Sequence, residues 1–191
     1  MDNATPGPEE RRLKRLEEAL LVAQAQAGNG DAFVQLMHRY DKPLLYYLRR
    51  FVPEGDCLDV HQEVWIDAFR GLRSLQVPEA FRVWIYQIAR HKAARFIRNE
   101  VAERTAVESL GEEEPIQEPP ADGFDALEAE AVHRGLQLLP QHHREILVLH
   151  YLRDLSTDEL AVVLDCPRGT IKSRLYHARL ALRRVIERKA L

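Results

Sequence analysis

The sequence predicts an all-α protein, with two small helical domains joined by an acidic, flexible linker. Three observations predict it. Apolar residues recur at helical spacing through most of the 191 residues, with no convincing strand alternation. A central stretch is rich in acid and proline and poor in apolar side chains. Near the C-terminal end, two helical patterns flank a tight turn, and the second is crowded with positive charge.

Residues 9–27 place Leu13, Leu16, Leu20, Ala23 and Ala27 on one stripe, which ends at Gly28-Asn29-Gly30. Asp31 is suited to cap the next helix, whose apolar residues include Phe33, Leu36, Met37 and Tyr40. Pro43 marks a helix start or bend, and residues 44–51 continue helically to a turn at Pro53-Glu54-Gly55. Residues 56–72 form a third helix, with Val60, Val64, Ala68, Phe69 and Leu72 facing the core and Asp59, Gln62, Glu63 and Ile66 sharing another face. Pro78 introduces a long helix to about residue 100. Residues 103–130 carry ten acids, Arg104 as their one base among lysines and arginines, and Pro115, Pro119 and Pro120. Such a segment reads as a solvated tether, or as a nucleic-acid mimic shielding basic surfaces. Beyond it, Leu136, Leu139, Ile146, Leu149 and Leu152 supply a second apolar set, and Pro140 begins a helix.

The C-terminal stretch "STDELAVVLDCPRGTIKSRLYHARLALRR" carries the most chemistry. Ser156 and Glu159 have capping-box spacing, and Leu160, Ala161, Val163 and Leu164 form one side of a short helix. Pro167 interrupts, and Thr170 is placed to cap the next helix. There Ile171, Leu175, Ala178, Leu182 and Val185 define a buried face opposite Lys172, Ser173, Tyr176, Arg179 and Arg183. This is the pattern of a helix-turn-helix, whose second helix enters the major groove. Lys172, Ser173 and Tyr176 would meet base edges or sugar, while Arg168, Arg174, Arg179, Arg183 and Arg184 suit phosphate. In the first block, no acid lies between Phe81 and Asn99. Arg82, Arg90, Lys92, Arg95 and Arg98 alternate with Trp84, Tyr86 and Phe96, a mixture suited to single-stranded DNA. The expected DNA-facing set there is Arg90, His91, Lys92, Arg95 and Arg98, joined by Arg82.

Composition narrows the classes. Hydrophobic residues make up 46% and charged residues 30%, enough to pack a core. A net charge of −3 argues against a free-standing strong DNA binder. Neither a membrane span nor a signal peptide is visible, so the expectation is a cytoplasmic protein with no direct membrane insertion. Cys57 and Cys166 form no CxxC pair; Cys57 and His61 have metal-compatible spacing but no third ligand. No metal, cofactor or catalytic site is expected, and no nucleophile–base pair or phosphate loop stands out.

"DVHQEVW" over 59–65 followed by "FRVWIYQIARHKAARFIR" resembles region two of bacterial sigma factors, and "LPQHHREILVLHYLRDLSTDELAVVLDCPRGTIKSRLYHARLALR" resembles their region four. The resemblance is to the extracytoplasmic-function group of the sigma-70 family. It implies an N-terminal extension over 1–19, a region-two domain over 20–102, a linker over 103–127 and a region-four domain over 128–191. It implies core RNA polymerase as partner, through the beta-prime coiled coil and the beta flap, with Asp59, Gln62, Glu63 and Ile66 on the polymerase-binding face. Promoter DNA is the second implied partner. The minus-ten element would meet Arg82, Arg90, His91, Lys92, Arg95 and Arg98, with the loop over residues 75–79. The minus-thirty-five element would meet Arg168, Thr170, Lys172, Ser173, Arg174, Tyr176, His177 and Arg179. An anti-sigma factor is the expected inhibitor, and a stress response the expected setting. His91, Arg95 and His177 depart from residues common in the family, which leaves the promoter class open; His91 and His177 could also titrate near neutral pH. Two other readings remain: a stand-alone helix-turn-helix regulator, and a sigma mimic that sequesters an anti-sigma factor.

Overall fold

The computed structural model describes residues 7–106, 132 and 134–189. The expected linker falls almost wholly outside the described residues.

The described residues are helical, with no strand among them. In the first block, α1 spans Pro8–Gln26, α2 Gly30–Leu48, α3 Glu54–Gly71 and α4 Phe81–Ala106. Short 3-10 turns at Leu72–Ser74 and Pro78–Ala80 link α3 to α4. The α1–α2 corner turns at Gly28, whose φ of 98° suits a residue without Cβ. Asn29 caps α2, accepting a hydrogen bond from the Ala32 N–H at 3.2 Å. This corrects the expected Asp31 cap: Asp31 already lies inside the helix, two residues after the cap.

Phe33, Leu36, Tyr40, Leu44, Tyr47 and Leu48 return to one face of α2 and are buried. They meet Val60, Val64, Trp65 and Ala68 of α3, and Phe81, Ile85, Tyr86 and Ala89 of α4, in one apolar cluster. Ring pairs lock the register: Tyr40 meets Phe81 edge-on at 5.4 Å, and Tyr47 meets Tyr86 at 5.5 Å. Pro43 does not start a helix, since α2 runs through it.

Two expected apolar faces are different. On α1, Leu13, Leu16 and Leu20 are exposed, while Ala19 and Val22 are buried. α1 contacts α2 and the 78–80 turn, and its buried residues Ala19 and Val22 lie beside the leucine stripe. Phe69 is 67% exposed, though its ring still meets Phe33 at 5.2 Å.

In the second block, residues 134–137 are helical. They precede α5 (Gln141–Leu147), a π-helical turn at Val148–Leu152, α6 (Thr157–Val163) and α7 (Arg168–Lys189). Gly135 makes the first of these approach α7: a Cβ there would lie 2.9 Å from Leu182 Cδ1. The capping box is formed in both directions. Glu159 N–H donates to Ser156 Oγ at 3.2 Å, and Ser156 N–H donates to Glu159 Oε2 at 2.7 Å. Asp165 then turns the chain with a φ of 49°. Because α7 starts at Arg168, Thr170 sits within its first turn and does not cap it; the Pro167 carbonyl accepts from Ile171 N–H.

The two blocks are packed together. Arg144 of α5 donates to the Arg50 carbonyl in the first block at 2.9 Å, and also to Leu136, Gln137 and Leu139 carbonyls in its own block. The apolar cluster of buried side chains spans both blocks.

Candidate nucleic-acid and polymerase interfaces

The amphipathic split of α7 creates its DNA-facing candidate surface. Ile171, Leu175 and Ala178 are buried against the rest of the second block. The helix therefore turns Lys172, Ser173, Tyr176, His177 and Arg179 to solvent. Ser173 Oγ donates to the Thr170 carbonyl, and the Tyr176 and His177 rings lie 5.4 Å apart, edge to face. Arg168 is exposed and pairs with Asp158 at 3.1 Å, tying the start of α7 to α6. Arg174 is half-buried and points a guanidinium N–H at Cys166 Sγ, 3.7 Å away. Arg174 and the likewise half-buried Thr170 stand apart from the six exposed residues expected there, Arg168, Lys172, Ser173, Tyr176, His177 and Arg179.

On α3, Asp59, Gln62, Glu63 and Ile66 are all exposed and lie on one face, opposite buried Val60 and Val64. Exposed Leu58 and Phe69 flank that face with apolar surface. A surface that mixes acids with exposed Ile66, Leu58 and Phe69 can combine charge steering with apolar burial on a partner.

The expected minus-ten set divides. His91, Arg95 and Arg98 are exposed along α4. Lys92 is not free: its ammonium sits 2.8 Å from Asp67 and 3.1 Å from Glu63, and its side chain is 16% exposed. Hydrogen bonds to Asp67, against a desolvation penalty, raise its pKa. Arg82 and Arg90 point to the second block. Arg82 Nη2 lies 2.7 Å from Glu159 Oε1, and Arg90 Nε lies 3.3 Å from Glu145 Oε1. Tyr86 is a core residue, 1% exposed, so it offers no ring to a base; burial pushes its hydroxyl up to about 12. Trp84 and Phe96 are half-buried.

Two features escaped sequence reading. Gln26, at the end of α1, donates through Nε2 to the carbonyls of Leu72 and Leu75, at 2.9 and 2.7 Å. It anchors the start of the 75–79 loop from forty-odd residues upstream, and no local pattern announces such a contact. The second is an apolar groove of about 540 Å³ on the second block, lined by Leu136, Leu147, Tyr151, Leu152, Leu182 and Ile186 among others. Among the described residues, no helix is long and apolar enough to cross a membrane, and no group of three or more His, Cys, Asp or Glu gathers to hold a metal.

Residues 36–103 match the model of Sigma-70 region 2, and residues 129–182 match that of Sigma-70, region 4. The chain is similar to the ECF RNA polymerase sigma-E factor of Escherichia coli K12, with 32% identity over 88% of this chain and 94% of that protein. Its fold is similar to that of CnrH in complex with the cytosolic domain of CnrY. The TM-score there is 0.66 and identity 28%, over 89% of this chain and 97% of CnrH. It also has the fold of the sigma factor RpoE from Bartonella quintana, solved in complex with the anti-sigma factor NepR. That match has a TM-score of 0.72 and identity of 21%, over 81% of this chain and 96% of that one.

Proposed function

The chain belongs to the extracytoplasmic-function group of the sigma-70 family, and from that premise we propose how its surfaces divide the work of transcription initiation. It is a sigma factor that binds core RNA polymerase and directs it to promoter DNA. The α3 face of Asp59, Gln62, Glu63 and Ile66 docks on the beta-prime coiled coil. The apolar groove beside α7 takes an apolar element of the beta flap. The α7 row of Lys172, Ser173, Tyr176 and His177 reads the minus-thirty-five duplex, with Arg168 and Arg179 on phosphates. His91, Arg95 and Arg98 of α4, joined by Arg82 and Arg90 once released from their carboxylates, track the melted minus-ten strand. Gln26 fixes the loop over 75–79 against which an extracted base would be read. An anti-sigma factor holds the protein inactive. None of these roles requires covalent chemistry by the chain.

One observation carries the assignment of faces: two separate exposed surfaces, acidic on α3 and basic on α7, stand on helices whose opposite sides are buried. Charge reversal separates them. Lys172→Glu should lose transcription from a minus-thirty-five-dependent promoter while still co-purifying with core polymerase. Asp59→Lys with Glu63→Lys should lose core binding while leaving duplex binding by α7. If both variants lose core binding equally, the faces are wrongly assigned. Binding to a duplex palindrome without any binding to core would overturn the polymerase role.

A further inference from the structure

Two of the cations with which the first block would grip DNA, Arg82 and Arg90, are occupied by the second block. Glu159 Oε1 lies 2.7 Å from Arg82 Nη2, and Glu145 Oε1 lies 3.3 Å from Arg90 Nε. Both carboxylates are further held in place. Glu145 Oε1 accepts the buried Tyr47 hydroxyl at 2.7 Å. Glu159 Oε2 accepts the Ser156 N–H of its own capping box, and Arg15 of α1 approaches Oε1 at 3.7 Å. Gln87 adds a hydrogen bond from α4 to the Val162 carbonyl at 3.2 Å. A carboxylate on a guanidinium has the charge and bidentate capacity of a phosphate. Each therefore sits where promoter backbone would.

We infer that Glu145 and Glu159 form an intramolecular latch that stands in for DNA phosphates on Arg90 and Arg82, keeping the free protein from the minus-ten strand until the blocks separate. The inference rests on the proposed placing of Arg82 and Arg90 at the minus-ten strand. The latch is selective. Lys172, Ser173, Tyr176 and His177 remain exposed in the closed arrangement, so the duplex-reading row is not covered. It is also suited to opening. A cavity of about 470 Å³ lies on the seam, lined by Arg15, Glu18, Arg82, Arg153 and Glu159. Tyr86 also lines it, and its buried hydroxyl has no hydrogen-bond partner. Burial would raise the Glu159 carboxyl, but the Arg82 and Ser156 hydrogen bonds outweigh it and hold the carboxyl below its usual range, so it stays ionised at neutral pH.

The test uses Glu145→Gln with Glu159→Gln in the full chain. Glutamine retains the capping-box geometry while removing the charge. A control, Glu9→Gln with Glu54→Gln, makes the same change in net charge on exposed residues away from the seam. Binding is measured by fluorescence anisotropy of the free protein on a labelled single strand bearing the minus-ten sequence of a promoter the holoenzyme transcribes. The latch variant should bind about fivefold tighter or more than wild type and control, because the binding-competent population rises. Its affinity for minus-thirty-five duplex should not change. Reconstituted holoenzyme carrying the variant should transcribe as wild type. No gain in single-strand affinity over the control overturns the latch, even if X-ray scattering shows the molecule expanded. Failure of the underlying site reading looks different: Arg82→Ala with Arg90→Ala would then leave open-complex formation by holoenzyme unchanged.

Discussion

His61 has two claimants on one nitrogen. Trp65 Nε1–H donates to Nε2 at 3.2 Å, and an Asp41 carboxylate oxygen lies 3.3 Å from the same atom. Protonating Nε2 satisfies Asp41 but takes the acceptor from Trp65, a core residue that is 5% exposed. Desolvation dominates, and it lowers the His61 pKa below 6.5 despite the pull of Asp41. A histidine with a lowered folded-state pKa binds protons more readily when unfolded. Its contribution is whole above 6.5 and is lost as pH falls from there through the lower folded value. Thermal unfolding midpoints should therefore drop between pH 7 and 5. His61→Gln, which can still accept from Trp65, should show a shallower slope; an equal slope would mean other groups carry it. Gln26 makes a second residue-scale prediction. Gln26→Ala frees two carbonyls beside the 75–79 loop, so holoenzyme should lose discrimination among minus-ten base variants more than it loses core binding. Equal discrimination would reduce Gln26 to a packing residue.

At the scale of elements, the second block's two short helices depend on local chemistry. Both hydrogen bonds of the Ser156–Glu159 box are made, and α6 is only seven residues long. Isolated helices of that length are unstable, so the cap matters to it more than to α4. Ser156→Ala should cost about 1 kcal/mol, read as a lowered denaturation midpoint, and should weaken duplex binding through α7, which α6 supports. Ser156→Thr should restore most of both. The box was readable in the sequence because its parts lie three residues apart. The same holds for the two faces of α7, where period alone separated Ile171, Leu175 and Ala178 from Lys172, Ser173 and Tyr176. Period served less well on α1 and at Phe69. It gives the direction of an apolar stripe, but the neighbouring element decides how much of that stripe is covered. The Asp31 and Thr170 caps failed for a related reason: a good capping residue stood near each helix start, but one or more positions too far along.

The seam between the blocks belongs to the whole molecule, and nothing local announces it. Tyr47 and Glu145 are 98 residues apart in sequence, and Arg82 and Glu159 are 77 apart. Arg82 and Arg90 read as solvent-facing cations because spacing shows that a residue is charged but not what folds over it. Arg144 is the clearest case. Nothing in the sequence sets it apart, yet its guanidinium satisfies carbonyls of Leu136, Gln137 and Leu139 and crosses the seam to the carbonyl of Arg50. Desolvation, followed by the nearby Arg50 charge, lowers its pKa, which marks a cation held by carbonyl dipoles with no acid among these partners. Removing it strands several acceptors at once, at about 1–3 kcal/mol for each one left unsatisfied in a buried setting. Arg144→Met keeps much of the stem and removes the donors. Denaturation of the full chain should then separate into two transitions, the second block melting first, because the residue that organises residues 136–139 also ties that block to the first. Lys at this position should rescue little, since one ammonium cannot reproduce a planar fork spread over four carbonyls. A single cooperative transition in Arg144→Met, at an unchanged midpoint, would show that the apolar cluster alone unites the two blocks.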